Sequence, residues 1–281
     1  MDTPEHRVQL IQAESARLGH YLHALPPDAW RRPSACHRWE VRDVVGHLIL
    51  GAELYHSVIS RGLQGNIAPL EGLPQAGTVN AASASPLIDQ LSVARRESLG
   101  DQLLATFEAT DQALNRLLAD LIAPDWETPC YHLAGLLPVR CLRDFRLGEL
   151  VIHGWDIRSR FESNAPLSPE SLPVLLDVLT TPITCGWAFW PGAPRSTPAR
   201  YRFTVTGRVP STLDITVAGE QAHLTEGGDV RPDVTFRCEA EAYVLVRYGR
   251  LGLADALATG RVVAEGDQAL AAAFGQWFRG I

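Results

Sequence analysis

Lysine is absent from this 281-residue chain, so all 25 basic residues are arginine. That excludes a lysine Schiff base, a phosphate-loop lysine and a Ser-Lys dyad. An all-arginine set suits bidentate carboxylate recognition, although codon bias explains it more simply. Cysteine is sparse: Cys36, Cys130, Cys141, Cys185 and Cys238 are widely spread and form no C-x-x-C pair. A disulfide scaffold or four-cysteine zinc site is therefore not expected, and the buried thiols of a cytoplasmic protein fit better. No run approaches the ~18 uninterrupted apolar residues of a membrane span. Met1-Asp2-Thr3-Pro4 brings no basic region before an apolar core, so no signal peptide is expected. Positive charge is in deficit, with 32 acidic residues and a net charge of -7. This speaks against a nucleic-acid binder, which needs a basic footprint. Hydrophobic residues make up 46% and charged residues 20%, so extended disorder is excluded and sizeable cores are affordable.

The first half reads as helical. Apolar positions at helical spacing predict helices over about 4–25, 41–61, 92–122 and 139–161. Pro26-Pro27 stops the first, and Gly62 and Gly65 end the second. Residues 63–90, rich in Gly, Pro, Ala and Ser, read as a long loop with at most a short helix. Four amphipathic helices suggest a four-helix bundle spanning 1–164. Asn164 to Pro169 reads as a linker, and a helix is expected over 170–188. Alternating segments at 201–206, 212–217, 222–225 and 234–238 then read as strands separated by glycine turns. Two further helices are expected near 240–248 and 268–278, so 165–281 reads as a small α+β domain with an antiparallel sheet.

The fourth helix carries the densest chemistry. Leu142, Phe145, Arg146, Glu149, Ile152, His153 and Asp156 form one inward stripe at steps of three and four. Buried unpaired charge is costly, so its ionisable members need partners, a metal or a wet cavity. Glu149 and His153, at i and i+4, can reach one ion. His47 lies on the apolar face of the second helix; alone it reads as a core histidine, but it completes a His–Glu–His set. Three protein ligands with an open position is the composition of a catalytic zinc site. Arg146 either binds a substrate or cofactor carboxylate bidentately, or pairs with Glu149 or another acid. His132 either lines the bundle mouth or is solvated, and Trp39 is expected to pack beneath the metal site. Trp187, Phe189 and Trp190 read first as packing residues and second as the wall of a pocket.

The segment Cys36-His37-Arg38-Trp39-Glu40-Val41-Arg42-Asp43-Val44-Val45-Gly46-His47-Leu48 resembles the W-x-V-R-D-V-V-x-H-L signature of the DinB-like superfamily. Gly148-Glu149-Leu150-Val151-Ile152-His153-Gly154-Trp155-Asp156-Ile157 resembles the E-L-x-x-H-x-W-D-L signature of its mycothiol-dependent maleylpyruvate isomerase branch. The resemblance implies a metal-binding bundle joined to a sterol-carrier-like α+β domain. His47, Glu149 and His153 match the family's divalent-metal ligands, usually zinc, and Asp156 matches a polar residue of the same pocket, with a catalytic part expected. Tyr248-Gly249-Arg250 resembles a segment that presents an arginine to the active site. Cys36-His37-Arg38 departs from the Cys-Pro-Gly turn common there.

By that resemblance the expected protein is a cytoplasmic metalloenzyme that uses mycothiol or a similar small thiol as nucleophile. It would be an S-transferase or a cis–trans isomerase acting on a small anionic electrophile. For an isomerase, thiolate adds to an activated double bond, rotation follows, and elimination restores the alkene. Arg250 is expected to face the metal from the second domain, with Arg247 as its nearest substitute, and no endogenous cysteine is expected to serve as nucleophile. A small-molecule substrate is the expected partner, without nucleic acid or membrane, in a monomer or small homo-oligomer. The competing readings are a non-catalytic lipid or small-molecule binder using the C-terminal domain, and a metal-dependent hydrolase.

Overall fold

Proline and glycine punctuation sets the helix ends. In the computed structural model, which describes residues 3–36, 38–190 and 195–280, Met1-Asp2 and His37 of the first motif lie outside the described residues. The chain divides into two compact units, Met1–Val79 with Ser83–Val174, and Asn80–Ala82 with Leu175–Ile281.

In the first unit, α1 (Pro4–Ala24) starts where the Thr3 hydroxyl accepts the His6 N–H, with proline in the first turn. It buries Val8, Ile11, Leu18 and Leu22. The second helix, α2 (Val41–Leu63), is capped reciprocally by Glu40 and Asp43. The expected loop and third helix are redrawn. A helix α3 (Ala81–Leu99) already forms inside the loop region, and α4 (Leu103–Ala119) follows a break at Gly100. Gly100 has φ +53, a conformation that ends a continuous helix. Helix α1 packs on α4 and on α5 (Val139–Arg158), and α2 packs on the same two helices. The segment before α5 is a short antiparallel hairpin, β1 (Pro129–His132) and β2 (Gly135–Pro138), where a loop was expected.

Helix α3 adjoins α2 because position 46 has no side chain. A Cβ on Gly46 would lie 2.8 Å from Arg96 Cβ and 2.9 Å from the Ser92 carbonyl oxygen. The Arg96–Asp43 ion pair at 2.9 Å ties the same two helices.

The single helix expected over 170–188 is two, α6 (Leu172–Leu179) and α7 (Pro182–Ala188); Pro182 cannot continue a helix, and Thr181 caps the new one. Strands β3 (Arg195–Thr206), β4 (Ser211–Gly219), β5 (Gln221–Glu226) and β6 (Val234–Glu239) precede α8 (Ala240–Arg247) and α9 (Leu253–Ala258). Strand β7 (Val262–Gly266) and α10 (Gln268–Trp277) complete the chain. The α+β class holds. Sheet order is β5-β4-β3-β6-β7. The expected antiparallel arrangement is corrected at its centre, where β3 and β6 run parallel because β4 and β5 intervene as a hairpin excursion. Tyr201, Phe203, Phe236, Tyr243 and Phe274 form an aromatic core beneath it. Phe189 and Trp190 pack here too: the Phe189 ring stacks on Trp277, and the Trp190 N–H donates to the Trp277 carbonyl.

Candidate metal centre

Helical periodicity brings the ligand-type residues together. Glu149 and His153 are one turn apart on α5, and His47 faces them from α2. A single Glu149 carboxylate oxygen lies 2.7 Å from His47 Nε2 and 3.3 Å from His153 Nε2. The donor atoms of the three residues all lie within 4.8 Å of one another.

The outer edge of each imidazole is also held. The Ser92 hydroxyl donates to the Ile88 carbonyl at 2.7 Å, so its oxygen is left to accept from His47 Nδ1 at 3.2 Å. A proton on His47 Nδ1 leaves the Nε2 lone pair facing the Glu149 carboxylate, the arrangement that a bound cation requires. On the other ring, His153 Nδ1 donates to the Asp156 carboxylate at 2.9 Å, which turns its Nε2 toward the same oxygen. Lone pairs and a carboxylate pointed at one another need a cation or shared protons between them. Two imidazoles and a carboxylate, each imidazole anchored from behind, are a donor set that fits zinc.

The electrostatics agree. Burial draws the His47 pKa down, against the pull of Glu149. Burial also works against the His153 charge, but hydrogen bonds to Asp156 and Glu149 outweigh it and raise that pKa. Burial pushes the Glu149 carboxyl up, yet the charges and hydrogen bonds of His47 and His153 hold it well below the usual carboxylate range. In the metal-free cluster protons are therefore held more tightly at His153 than at His47.

Access to the cluster is one-sided. Trp39 is buried, with its ring centroid 4.9 Å from His47 and 5.9 Å from His153, and it forms the floor. Side-chain exposure rises from 9% at His153 to 16% at His47 and 31% at Glu149. Solvent therefore enters from the Glu149 side.

Other expected site residues fall elsewhere. Asp156, expected to take a catalytic part, is fully buried and meets the cluster through the His153 ring, whose Nδ1 it contacts at 2.9 Å. Of the two roles weighed for Arg146, the structure shows an ion pair, with Asp111 of α4 instead of Glu149. Its remaining contact is to the Leu48 carbonyl at 2.9 Å. Arg250 lies in the second unit, where its guanidinium donates to the Tyr248 carbonyl at 2.7 Å. Arg247 is buried in that unit, bonded to the Tyr243 hydroxyl and lying over the Phe278 ring. Cys36 approaches His153 and Asp156 in a second grouping of ligand-type atoms, and among the described residues no disulfide joins the cysteines. Ser92 was missed by sequence reasoning, because the helix that carries it has too little apolar periodicity to reveal which face looks inward.

Among the described residues no helix is long and apolar enough to cross a membrane. Residues 11–158 match the mycothiol maleylpyruvate isomerase N-terminal domain family, and residues 194–279 match the SCP-2 sterol transfer family. A crystal structure of mycothiol-dependent maleylpyruvate isomerase aligns with a TM-score of 0.59 at 14% identity, covering 89% of this chain and 90% of that one. A histidine-to-alanine mutant of such an isomerase aligns with a TM-score of 0.62 at 13% identity, covering 94% and 93%. These likenesses show a shared fold. No curated protein matches the chain.

Proposed function

Because the chain belongs to the mycothiol maleylpyruvate isomerase N-terminal domain family, we propose that it is a metal-dependent enzyme using a small thiol, mycothiol or a close analogue, as nucleophile. Its substrate is a small anionic electrophile with an activated double bond, and the reaction is cis–trans isomerisation. The observation that carries this reading is the convergence of His47 Nε2, His153 Nε2 and one Glu149 oxygen, with both outer imidazole nitrogens already anchored. A divalent metal held by these residues, zinc by its donor set, supplies the Lewis acidity that keeps a thiol as thiolate near neutral pH. Ser92 and Asp156 fix the tautomer and orientation of the two rings. Trp39 closes the floor and keeps water from that side, which leaves the Glu149 side for thiol and substrate.

Four of the chain's five thiols are poor substitutes. Burial pushes Cys130 up to about 11 and Cys238 up to about 12, and it also raises Cys141 and Cys185. Thiolate is the reactive form, so these side chains stay protonated and inert near neutral pH. This supports a nucleophile supplied from outside the chain.

The test is turnover of maleylpyruvate by zinc-loaded protein with and without mycothiol, beside elemental analysis. Stoichiometric metal, thiol-dependent isomerisation and its loss in His47→Ala are expected. Hydrolysis without thiol, or full turnover in a metal-free His47→Ala variant, would reject the proposal. A Cys36→Ser variant that folds but is inactive would reject the external nucleophile.

A further inference from the structure

A buried polar network lies beside the metal-binding residues without belonging to them. Arg146 precedes Glu149 by one turn of α5 and is 1% exposed. Its Nη1 donates to the Leu48 carbonyl at 2.9 Å, and Leu48 is the residue after His47 on α2. Its Nη2 donates to one oxygen of Asp111 on α4. The other Asp111 oxygen accepts the Ser15 hydroxyl of α1. Through one guanidinium and one carboxylate, α1, α2, α4 and α5 are joined.

The contact with α2 is the unusual one. The Leu48 carbonyl lies inside the helix, which uses one of its lone pairs and leaves the second for the guanidinium. Gly51, on the next turn, keeps the approach open: a Cβ there would lie 3.5 Å from Arg146 Nη1. Arg146 Nε is buried and makes no hydrogen bond among the described residues. The pose that reaches both acceptors therefore leaves one donor unpaired. Replacing a buried ion pair by apolar groups often leaves stability unchanged, so net stability is a weak reason for this one. What it supplies is register. Sliding α2 along α5 by one residue moves it about 1.5 Å, whereas metal–ligand distances are held to about 0.2 Å. Apolar packing is non-directional, and a planar fork clamped at two points is not.

We propose that Arg146 is a positioning residue of the metal centre. Anchored on Asp111 and bonded to the Leu48 carbonyl, it sets the height of α2 against α5 and so brings His47 Nε2 to the donors of Glu149 and His153. It acts through the backbone of α2, beside the ligand, and not through a ligand side chain. This rests on the metal reading above.

The experiment uses two variants of the full chain. Arg146→Met combined with Asp111→Leu removes both charges together, so no uncompensated carboxylate is left in the core. Arg146→Lys keeps a cation beside Asp111 but lacks the fork that reaches two acceptors. Each is compared with the native protein by zinc affinity, by the visible spectrum of cobalt bound in place of zinc, and by urea unfolding without metal. In the double variant the unfolding midpoint should stay near the native one, while zinc affinity falls by about 10–100-fold and the cobalt bands shift with the altered ligand geometry. Arg146→Lys should lose about tenfold in affinity. Native affinity and native cobalt bands in a folded double variant overturn the positioning role and leave the metal reading intact. If the double variant does not fold, the same result in Arg146→Lys overturns it. A joint fall of midpoint and affinity with native cobalt bands also overturns it, since lost stability alone would account for the change. A native protein that takes up neither zinc nor cobalt sinks both readings.

Discussion

His47 and His153 are chemically the same side chain, yet their surroundings drive their pKa values in opposite directions. Burial lowers the pKa of His47 against the pull of Glu149, whereas at His153 hydrogen bonds to Asp156 and Glu149 outweigh burial and strengthen its hold on a proton. Metal binding must expel that proton, so uptake is linked to pH. Below the raised pKa of His153 the apparent affinity should fall about tenfold per pH unit, and above it the dependence should flatten. Calorimetry of zinc binding in buffers of different ionisation heat should count about one proton released below the raised pKa of His153 and fewer above it. Asp156→Asn removes the charge that favours the imidazolium. The pH dependence should then shift downward, while affinity at high pH weakens by roughly 10–100-fold as the ring loses its anchor. An unchanged titration would detach Asp156 from the centre. Arg146 shows a limit of reading residues singly: its stripe announces burial, but its partner Asp111 lies on a different helix, and nothing in the spacing of α5 points there.

At the scale of elements, the site depends on how closely α2 and α3 approach. Gly46→Ala should force the helices apart, because its Cβ would meet backbone and Cβ atoms rather than a flexible side-chain tip. A loss of about 1–3 kcal/mol in urea unfolding is expected, together with weaker zinc binding as the Ser92 contact to His47 opens. Unaltered zinc affinity in the folded variant would mean that Ser92 is dispensable. The contrast between α5 and α3 explains what the sequence could reveal. In α5, ionisable residues interrupt an apolar stripe at helical intervals, so both the helix and its functional face were legible. Helix α3 is built largely from alanine and serine, includes Pro86, and presents too weak a pattern to separate from a loop. The β1–β2 hairpin has four-residue strands and also passed as loop. In the second unit alternation identified strands, but a parallel pair joined across an intervening hairpin is a long-range choice that local alternation does not encode.

At the scale of the whole molecule, the two units have separate cores, one of packed helices and one of aromatic side chains under a sheet. The cluster that joins α2 to α5 belongs wholly to the first. His47 and Glu149 are separated by 102 positions in the chain, so a shared ion would act there as a removable cross-link. It would close a loop containing most of the first unit and restrict the unfolded chain far more than the folded one, as long covalent bridges do. Chelation should therefore lower the melting temperature of the helical unit and leave that of the sheet unit where it was. Calorimetry with and without chelator should resolve one moving and one stationary transition, whereas equal shifts in both would mean that the units unfold as one body. The same connection ties the protein's lifetime to metal supply: a chain starved of the ion would lose its staple as well as its reactivity, and its helical half would become the part first exposed to proteases.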